Sequence, residues 1–148
     1  MEKYSPIDIL LAEDSPGDAE LAKEALEESN LKNRLYTVVD GQEALDFLYK
    51  KGEYKNVPRP DLILLDLNMP KVDGREVLKV VKDDEHLRSI PIVILTTSRA
   101  EEDIVKTYNL HANCFISKPL NLDKFMEVVN AIENFWISIV TLPGTNKK

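Results

Sequence analysis

The sequence has little cysteine and glycine and no long apolar run, and each shortage excludes a class of protein. Cys114 is the one cysteine in 148 residues, so no disulfide can form within the chain. Five glycines and eight prolines are too few for a collagen-like or disordered chain. No apolar stretch is long enough to span a bilayer, and the first residues, MEKYSPIDILLAED, lack the pattern of a signal peptide. We therefore expect a cytoplasmic globular protein with no membrane partner.

Positive charge is also in short supply. The chain has 19 Lys and Arg against 26 Asp and Glu, which gives a formal net charge of -7 at pH 7. An excess of negative charge repels phosphate backbones, so we expect no nucleic-acid partner. The length suits one domain with a substantial core. We expect a single domain over residues 1–148, with a core at about 7–136 and a C-terminal extension at 137–148.

Apolar runs alternate with amphipathic stretches along the chain. The runs are residues 7–12, 34–39, 61–66, 90–98 and 114–119. The third contains LILLD, whose unbroken apolar residues are typical of a strand buried on both faces. Helices are expected between the runs and at residues 121–136, with a weaker one at 101–110. Ser15, Asp40 and Asp73 are candidate N-caps with an acid three residues on, and Asp18 is expected to complete a capping box with Ser15. The alternation predicts an α/β fold with a five-stranded parallel sheet.

Polar side chains follow four of these runs at the point where each strand is expected to end. Ligands of such sheets bind outside the carboxyl ends of the strands. Three carboxylates at one edge repel each other, and a hard cation such as Mg²⁺, which prefers oxygen ligands, removes the conflict. Carboxylates with a lysine and a hydroxyl also suit phosphoryl transfer, in which an aspartate can be the nucleophile. The residues at this edge are Glu13, Asp14, Asp66, Asn68, Thr96 and Lys118.

Four segments carry a family resemblance. LLAEDS, LILLDLNMPKVDG, IPIVILTTS and CFISKP occur in that order and resemble the signatures of the receiver domain of two-component response regulators. The resemblance covers residues 7 to about 136. It implies a flavodoxin-like, doubly wound sheet of order 2-1-3-4-5. It also implies a stand-alone regulator whose Asp66 accepts a phosphoryl group from a sensor histidine kinase and then loses it slowly. Such a chain catalyses only its own phosphorylation and is not an enzyme for an outside substrate.

The resemblance assigns a role to each residue of the edge. Asp66 is the phosphoacceptor, and Mg²⁺ binds to Asp14, Asp66 and the backbone carbonyl of Asn68, with Glu13 acting through water. The other implied roles are a phosphate contact for Lys118, a switch pair in Thr96 and Phe115, and a cis peptide bond before Pro119.

Two further stretches are similar to the single-domain regulators that partner bacterial phytochromes. They are KGEY…PRPDLILLDLN and FW…VTLP, and they imply a phytochrome-type sensor kinase as the partner. The last predicted helix carries two apolar stripes, and one of them, which includes Phe125, is enough to cover the sheet. The second stripe and the residues after it predict a homodimer, with Val128, Phe135, Ile139 and Leu142 as candidate contacts.

Other functions compete with this interpretation. A dehalogenase-like phosphatase also uses an aspartate after a buried strand, but it needs a second aspartate where this chain has Asn68. A small flavoprotein needs backbone donors in a Ser/Thr/Gly-rich loop, whereas the loop here is the acidic EDSPGD. A receiver that serves only for docking, without phosphorylation, also remains open. Taken singly, Asp14 or Asp66 could be a helix cap and nothing more, which is how we interpret Asp40 and Asp73.

Overall fold

A computed structural model of the chain describes most of the residues before Thr96 and a few after it. For Thr96 and for Cys114–Ser117 it describes the backbone alone. The described residues are 6–29, 32–69, 71–96, 114–117, 123, 125–127 and 130–131.

Parallel strands form one sheet at the centre of the described residues. The sheet has five strands in the order β2-β1-β3-β4-β5. The predicted α/β class with a parallel sheet is confirmed, and the strand order is the one that the resemblance implied. The strands are β1 (Ile7–Ala12), β2 (Asn33–Val38), β3 (Leu62–Asp66), β4 (Ile92–Thr96) and β5 (Cys114–Ser117).

Some strand ends differ from the prediction. The run predicted at 90–98 forms a strand only from Ile92, because the preceding Pro91 has no N–H to donate to a ladder and Ile90 N–H donates to Leu87 in a turn at 3.0 Å. The run predicted at 34–39 ends at Val38, since Val39 N–H donates instead to Glu43 Oε1 at 3.0 Å. Residues 97–98 and 118–119 of the predicted runs lie outside the described residues.

Each of the described α-helices starts at a side-chain cap. They are α1 (Pro16–Glu28), α2 (Gly41–Leu48) and α3 (Gly74–Asp83). Their predicted caps are confirmed: Ser15, Asp40 and Asp73 accept the backbone N–H three residues on, at 3.3, 2.8 and 3.1 Å. Residues 123, 125–127 and 130–131 of the predicted last helix are helical, while the helix expected at 101–110 lies outside the described residues. Among the helices that are described, none has both the length and the apolar composition needed to cross a bilayer.

The core lies on both faces of the sheet. Side chains alternate between faces along a strand, so Leu10 and Ile63 face one layer while Ile9 and Leu64 face the other. The first layer includes buried residues of α2 and α3, and the second includes α1 and Phe125, which is fully buried as the apolar stripe of the last helix predicts. All five residues of β3 are buried. The carboxylate that ends this strand is therefore held at a closely packed position.

Candidate metal centre

Three carboxylates meet at the carboxyl edge of the sheet. One oxygen of each of Glu13, Asp14 and Asp66 lies within 4.8 Å of the others. Glu13 is 2% exposed and Asp66 is 1% exposed, whereas Asp14 is exposed to solvent. The structure thus brings together the three acids that the sequence placed at this edge.

The strand pairing explains why these acids are close. Glu13 follows β1 directly, and Asp66 is the last residue of β3, the strand that pairs with β1. The ladder continues past the ends of the strands, because Glu13 N–H donates to Val38 O at 3.0 Å and Leu67 N–H donates to Leu95 O at 3.1 Å. Backbone hydrogen bonds therefore set the positions from which both carboxylates project.

Hydrogen bonds also orient the two buried carboxylates. Asp66 Oδ1 accepts the N–H of Asn68 at 3.0 Å, and Glu13 Oε2 accepts the N–H of Ser15 at 3.1 Å. The second bond corrects a prediction, since a capping box would have given the Ser15 N–H to Asp18. Glu13 takes this bond because its side chain lies beside the first turn of α1. One residue therefore belongs to both the acidic cluster and the start of a helix.

The cluster fits a hard divalent cation. Carboxylates so close to each other are costly to keep ionised in a buried site unless a cation offsets their charge. Mg²⁺ prefers oxygen ligands in octahedral geometry, takes few of them from carboxylates and keeps several waters. Two buried acids with an exposed third provide such ligands at a solvent-facing edge. The donor chemistry of the residues present therefore suits Mg²⁺.

The loop that follows Asp66 is packed tightly against the sheet. Gly74, the first residue of α3, donates its N–H to Leu67 O at 2.9 Å. A Cβ at Gly74 would overlap the Asp66 carbonyl oxygen and lie 2.6 Å from Leu67 Cα. Only glycine lets α3 begin so close to the backbone of β3. This role of Gly74 was not predicted from the sequence, although the DG pair before a helix was a usable signal.

A second contact holds the middle of the same loop. Lys71 Nζ lies 3.6 Å from Asp40 Oδ2, and a Cβ at Gly41 would overlap the carbonyl oxygen of Val72. The loop tip therefore rests on the first turn of α2. Asp40 was interpreted as a helix cap only; it is a cap, but it also pairs with this lysine.

The remaining predicted site residues are described in part or lie outside the described residues. Thr96 ends β4 opposite Ser117, and Phe115 lies in β5 opposite Ile94, so both belong to strands of the sheet. The homodimer stays a prediction, because its candidate contacts lie outside the described part of the chain. The predicted residues that are not described are Lys118, Pro119, Val128, Phe135, Ile139 and Leu142.

Comparison with known proteins agrees with this arrangement. A family model described as the response regulator receiver domain matches residues 9–130. The response regulator Rcp1 of Synechocystis sp. is 49% identical over 143 residues, which cover 97% of this chain and 97% of Rcp1.

Two solved structures are similar over nearly their full length. The phosphorylated cyanobacterial phytochrome response regulator RcpA is 50% identical, with a TM-score of 0.80 over 94% of this chain and 99% of RcpA. The Mn²⁺-bound form of Rcp1 is 49% identical, with a TM-score of 0.78 over 93% of this chain and 99% of that one. This chain belongs to the response regulator receiver domain family.

Proposed function

We propose that Asp66 accepts a phosphoryl group from the phosphohistidine of a sensor kinase, in the presence of Mg²⁺. The observation that carries the proposal is the position of Asp66 at the end of a buried strand, with Glu13 and Asp14 oxygens within 4.8 Å. Burying a carboxylate beside two others costs free energy, which points to a functional role for Asp66. Phosphorylation of Asp66 is such a role.

The chain's own residues prepare Asp66 for nucleophilic attack. The Asn68 N–H holds Oδ1 at 3.0 Å and so limits rotation of the carboxylate plane. A carboxylate oxygen forms the new bond to phosphorus, while the bond from phosphorus to the donor's imidazole nitrogen breaks and its electron pair stays with that nitrogen. Lys118 and Thr96 have the chemistry to contact the phosphoryl oxygens, as the family resemblance implies.

In this proposal Asp14, Asp66 and the backbone carbonyl of Asn68 would hold Mg²⁺, and Glu13 would act through metal-bound water. A bound Mg²⁺ offsets the charge of the carboxylates and of the incoming phosphoryl oxygens. Support comes from the relative Rcp1, which binds Mn²⁺ in its solved structure. Mn²⁺ and Mg²⁺ share a preference for carboxylate and carbonyl oxygens.

The proposed donor is a phytochrome-type sensor histidine kinase. Its support is the similarity to RcpA, which is a phytochrome response regulator. We propose no outside substrate for the chain. A dehalogenase-like phosphatase would need a general acid at position 68, where this chain has an asparagine whose backbone N–H donates to Asp66.

The test is intact mass spectrometry after incubation with acetyl phosphate, with and without Mg²⁺. We expect one added phosphoryl group on the wild type, dependent on Mg²⁺ and absent from Asp66→Asn. Asp8→Asn is the matched control, because Asp8 is also a buried aspartate but lies at the amino end of β1. An adduct on Asp66→Asn, or none on the wild type with either acetyl phosphate or a phosphorylated phytochrome-type kinase, would contradict the proposal.

A further inference from the structure

Asp40 is a buried carboxylate with two contacts. It is 4% exposed, and its Oδ1 caps α2 by accepting Glu43 N–H at 2.8 Å. The cap alone does not require a negative charge, because asparagine and serine cap helices equally well. Its second oxygen, Oδ2, lies 3.6 Å from Lys71 Nζ. The charge of Asp40 is therefore used for the contact with Lys71.

Lys71 occupies a backbone conformation that disfavours lysine. Its φ is 66°, in the left-handed region that glycine and asparagine adopt more readily. Backbone conformation therefore gives no reason for lysine at this position. The lysine side chain supplies one, since its ammonium reaches the carboxylate at the start of α2.

The ion pair completes a closed path of contacts around one side of the acidic cluster. One half runs from Glu13, whose N–H bonds to Val38 O at 3.0 Å, along the chain to Asp40. The other half runs from Asp66, whose Oδ1 accepts Asn68 N–H at 3.0 Å, along the loop to Lys71. The contact between Asp40 and Lys71 joins the two halves, and the close approach of Gly41 to the Val72 carbonyl supports it from the adjacent residues.

We infer that Asp40 and Lys71 are positioning residues for the metal centre. Their ion pair holds the loop after β3 against α2, and the loop carries the Asn68 carbonyl that our proposed function assigns to Mg²⁺. The inference rests on that proposed function. Neither side chain touches the metal or the phosphoryl group; each acts through the backbone of the loop.

The direction in which Mg²⁺ affinity changes when the Lys71 charge is removed distinguishes a positioning role from a simple charge effect. Lys71 is a cation near a cation site, so Coulomb repulsion alone predicts tighter Mg²⁺ binding when its charge is removed. A positioning role predicts weaker binding, because the loop is no longer held where its carbonyl completes the ligand set. The two explanations therefore give opposite results for one substitution.

The first experiment is calorimetric titration of the full chain with Mg²⁺. We expect Lys71→Met to raise the Kd for Mg²⁺ by about fivefold, because Lys71 is 70% exposed and solvent limits the strength of its ion pair. Lys71→Arg, which keeps the charge, should bind within about twofold of the wild type. Lys50→Met is the matched control, because Lys50 is also a left-handed lysine, with φ 57°, but lies at the opposite end of α2. The Kd of Lys50→Met for Mg²⁺ should equal that of the wild type.

A second variant tests the pair rather than the lysine alone. Asp40→Asn keeps the helix cap and removes the charge, so we expect a loss similar to that of Lys71→Met. Combining the two substitutions should cost no more than either one, because residues that act as a pair are not additive. Urea unfolding in EDTA confirms that each variant is folded at the titration temperature.

The outcomes distinguish the inference from the function on which it rests. The positioning role is overturned if Lys71→Met binds Mg²⁺ as tightly as the wild type or more tightly. If Asp66→Asn loses Mg²⁺ binding in the same experiment, the metal centre itself still stands. Full additivity in the double variant also overturns it. A wild type that binds no Mg²⁺, or an Asp66→Asn variant that binds it equally well, overturns the proposed function instead.

Discussion

The two edges of the sheet treat buried aspartates in different ways. At the amino edge, Asp8 is 9% exposed and accepts hydrogen bonds from Arg34 Nε at 2.9 Å and from Tyr36 Oη at 3.4 Å. At the carboxyl edge, Asp66 is 1% exposed and lies with two other acids whose oxygens are within 4.8 Å. The amino edge pairs its buried aspartate with an arginine, whereas the carboxyl edge places three carboxylates close together.

The amino-edge network is built into the strand pairing. Asp8 and Arg34 are register partners of β1 and β2, so their side chains leave the sheet side by side. The backbone of Asp8 also bonds to Asp61, with its N–H on Oδ2 at 2.8 Å and its carbonyl accepting the Asp61 N–H at 2.7 Å. The hydrogen bond from Arg34 to Asp8 raises the pKa of the Arg34 guanidinium above its ordinary value. These contacts fasten the starts of β1, β2 and β3 to each other.

The difference shows how to separate structural from functional acids in one fold. A carboxylate with a cation in register stabilises the folded state, and nothing beyond folding is needed to explain it. Carboxylates grouped at one point repel each other, and a cation bound among them offsets that repulsion. Such a group indicates a ligand site. By this criterion Asp8 is a structural residue, and the acidic cluster is the candidate functional site.

The largest expected effect comes from a substitution that disrupts the carboxyl edge alone. Gly74→Ala should lower the free energy of unfolding by about 3 kcal/mol, because the new Cβ meets the backbone of Asp66 and Leu67 rather than a movable side chain. Urea unfolding measures this change. Gly17→Ala is the control: its Cβ would meet nothing within 4 Å, and alanine in α1 should stabilise by about 0.5 kcal/mol. Equal stability of the two variants would mean that the carboxyl edge is not closely packed.

An intermediate effect contrasts the two edges directly. In EDTA, Asp8→Asn should lose about 1 kcal/mol, because it weakens a charge-assisted hydrogen bond. Asp66→Asn should gain about 1 kcal/mol, because it relieves repulsion among three carboxylates. Chemical denaturation of both variants and the wild type measures the two signs.

Added Mg²⁺ sharpens the same contrast. It should stabilise the wild type and Asp8→Asn, but not Asp66→Asn, since only a folded state with an intact cluster binds it. If both substitutions change stability in the same direction in EDTA, the proposed difference between the two edges is contradicted.

The smallest effect concerns a hydrogen bond at the far ends of α2 and α3. Tyr49 Oη donates to Asp84 Oδ2 at 2.7 Å, and this bond raises the pKa of Tyr49 above 10.0 and lowers the pKa of Asp84 below 3.8. Its stabilisation is therefore present between these two values. It is lost in acid as Asp84 is protonated and in base as Tyr49 ionises.

Tyr49→Phe should lower the urea midpoint slightly at pH 7, and the difference from the wild type should shrink as the pH falls through the folded pKa of Asp84. Both side chains are partly exposed, so the decrease should be small. Urea midpoints at a series of pH values give the measurement. A difference that stays constant down to pH values well below 3.8 would assign the effect to lost packing instead.

Much of this architecture could be predicted from local pattern. The apolar run before Asp66 indicated a strand buried on both faces, and the polar residue before each described helix indicated its cap. Both predictions succeeded because each depends on neighbours in the chain. The predicted acceptor for the Ser15 N–H was wrong. The N–H donates to Glu13 at the end of β1, and not to Asp18 within the helix. Pairings between distant loops, such as Asp40 with Lys71, leave no periodic signal in a sequence.

The sequence by itself determined the class of the fold, the alternation of strands and helices, and the acids at the strand ends. These follow from hydrophobic spacing and helix capping, which act over a few residues. Only the tertiary structure decided that the oxygens of Glu13, Asp14 and Asp66 lie within 4.8 Å, that Asp8 pairs with Arg34, and that Lys71 reaches Asp40. Those contacts join residues far apart in the chain, and strand register and the close approach of loop and helix backbones set their distances.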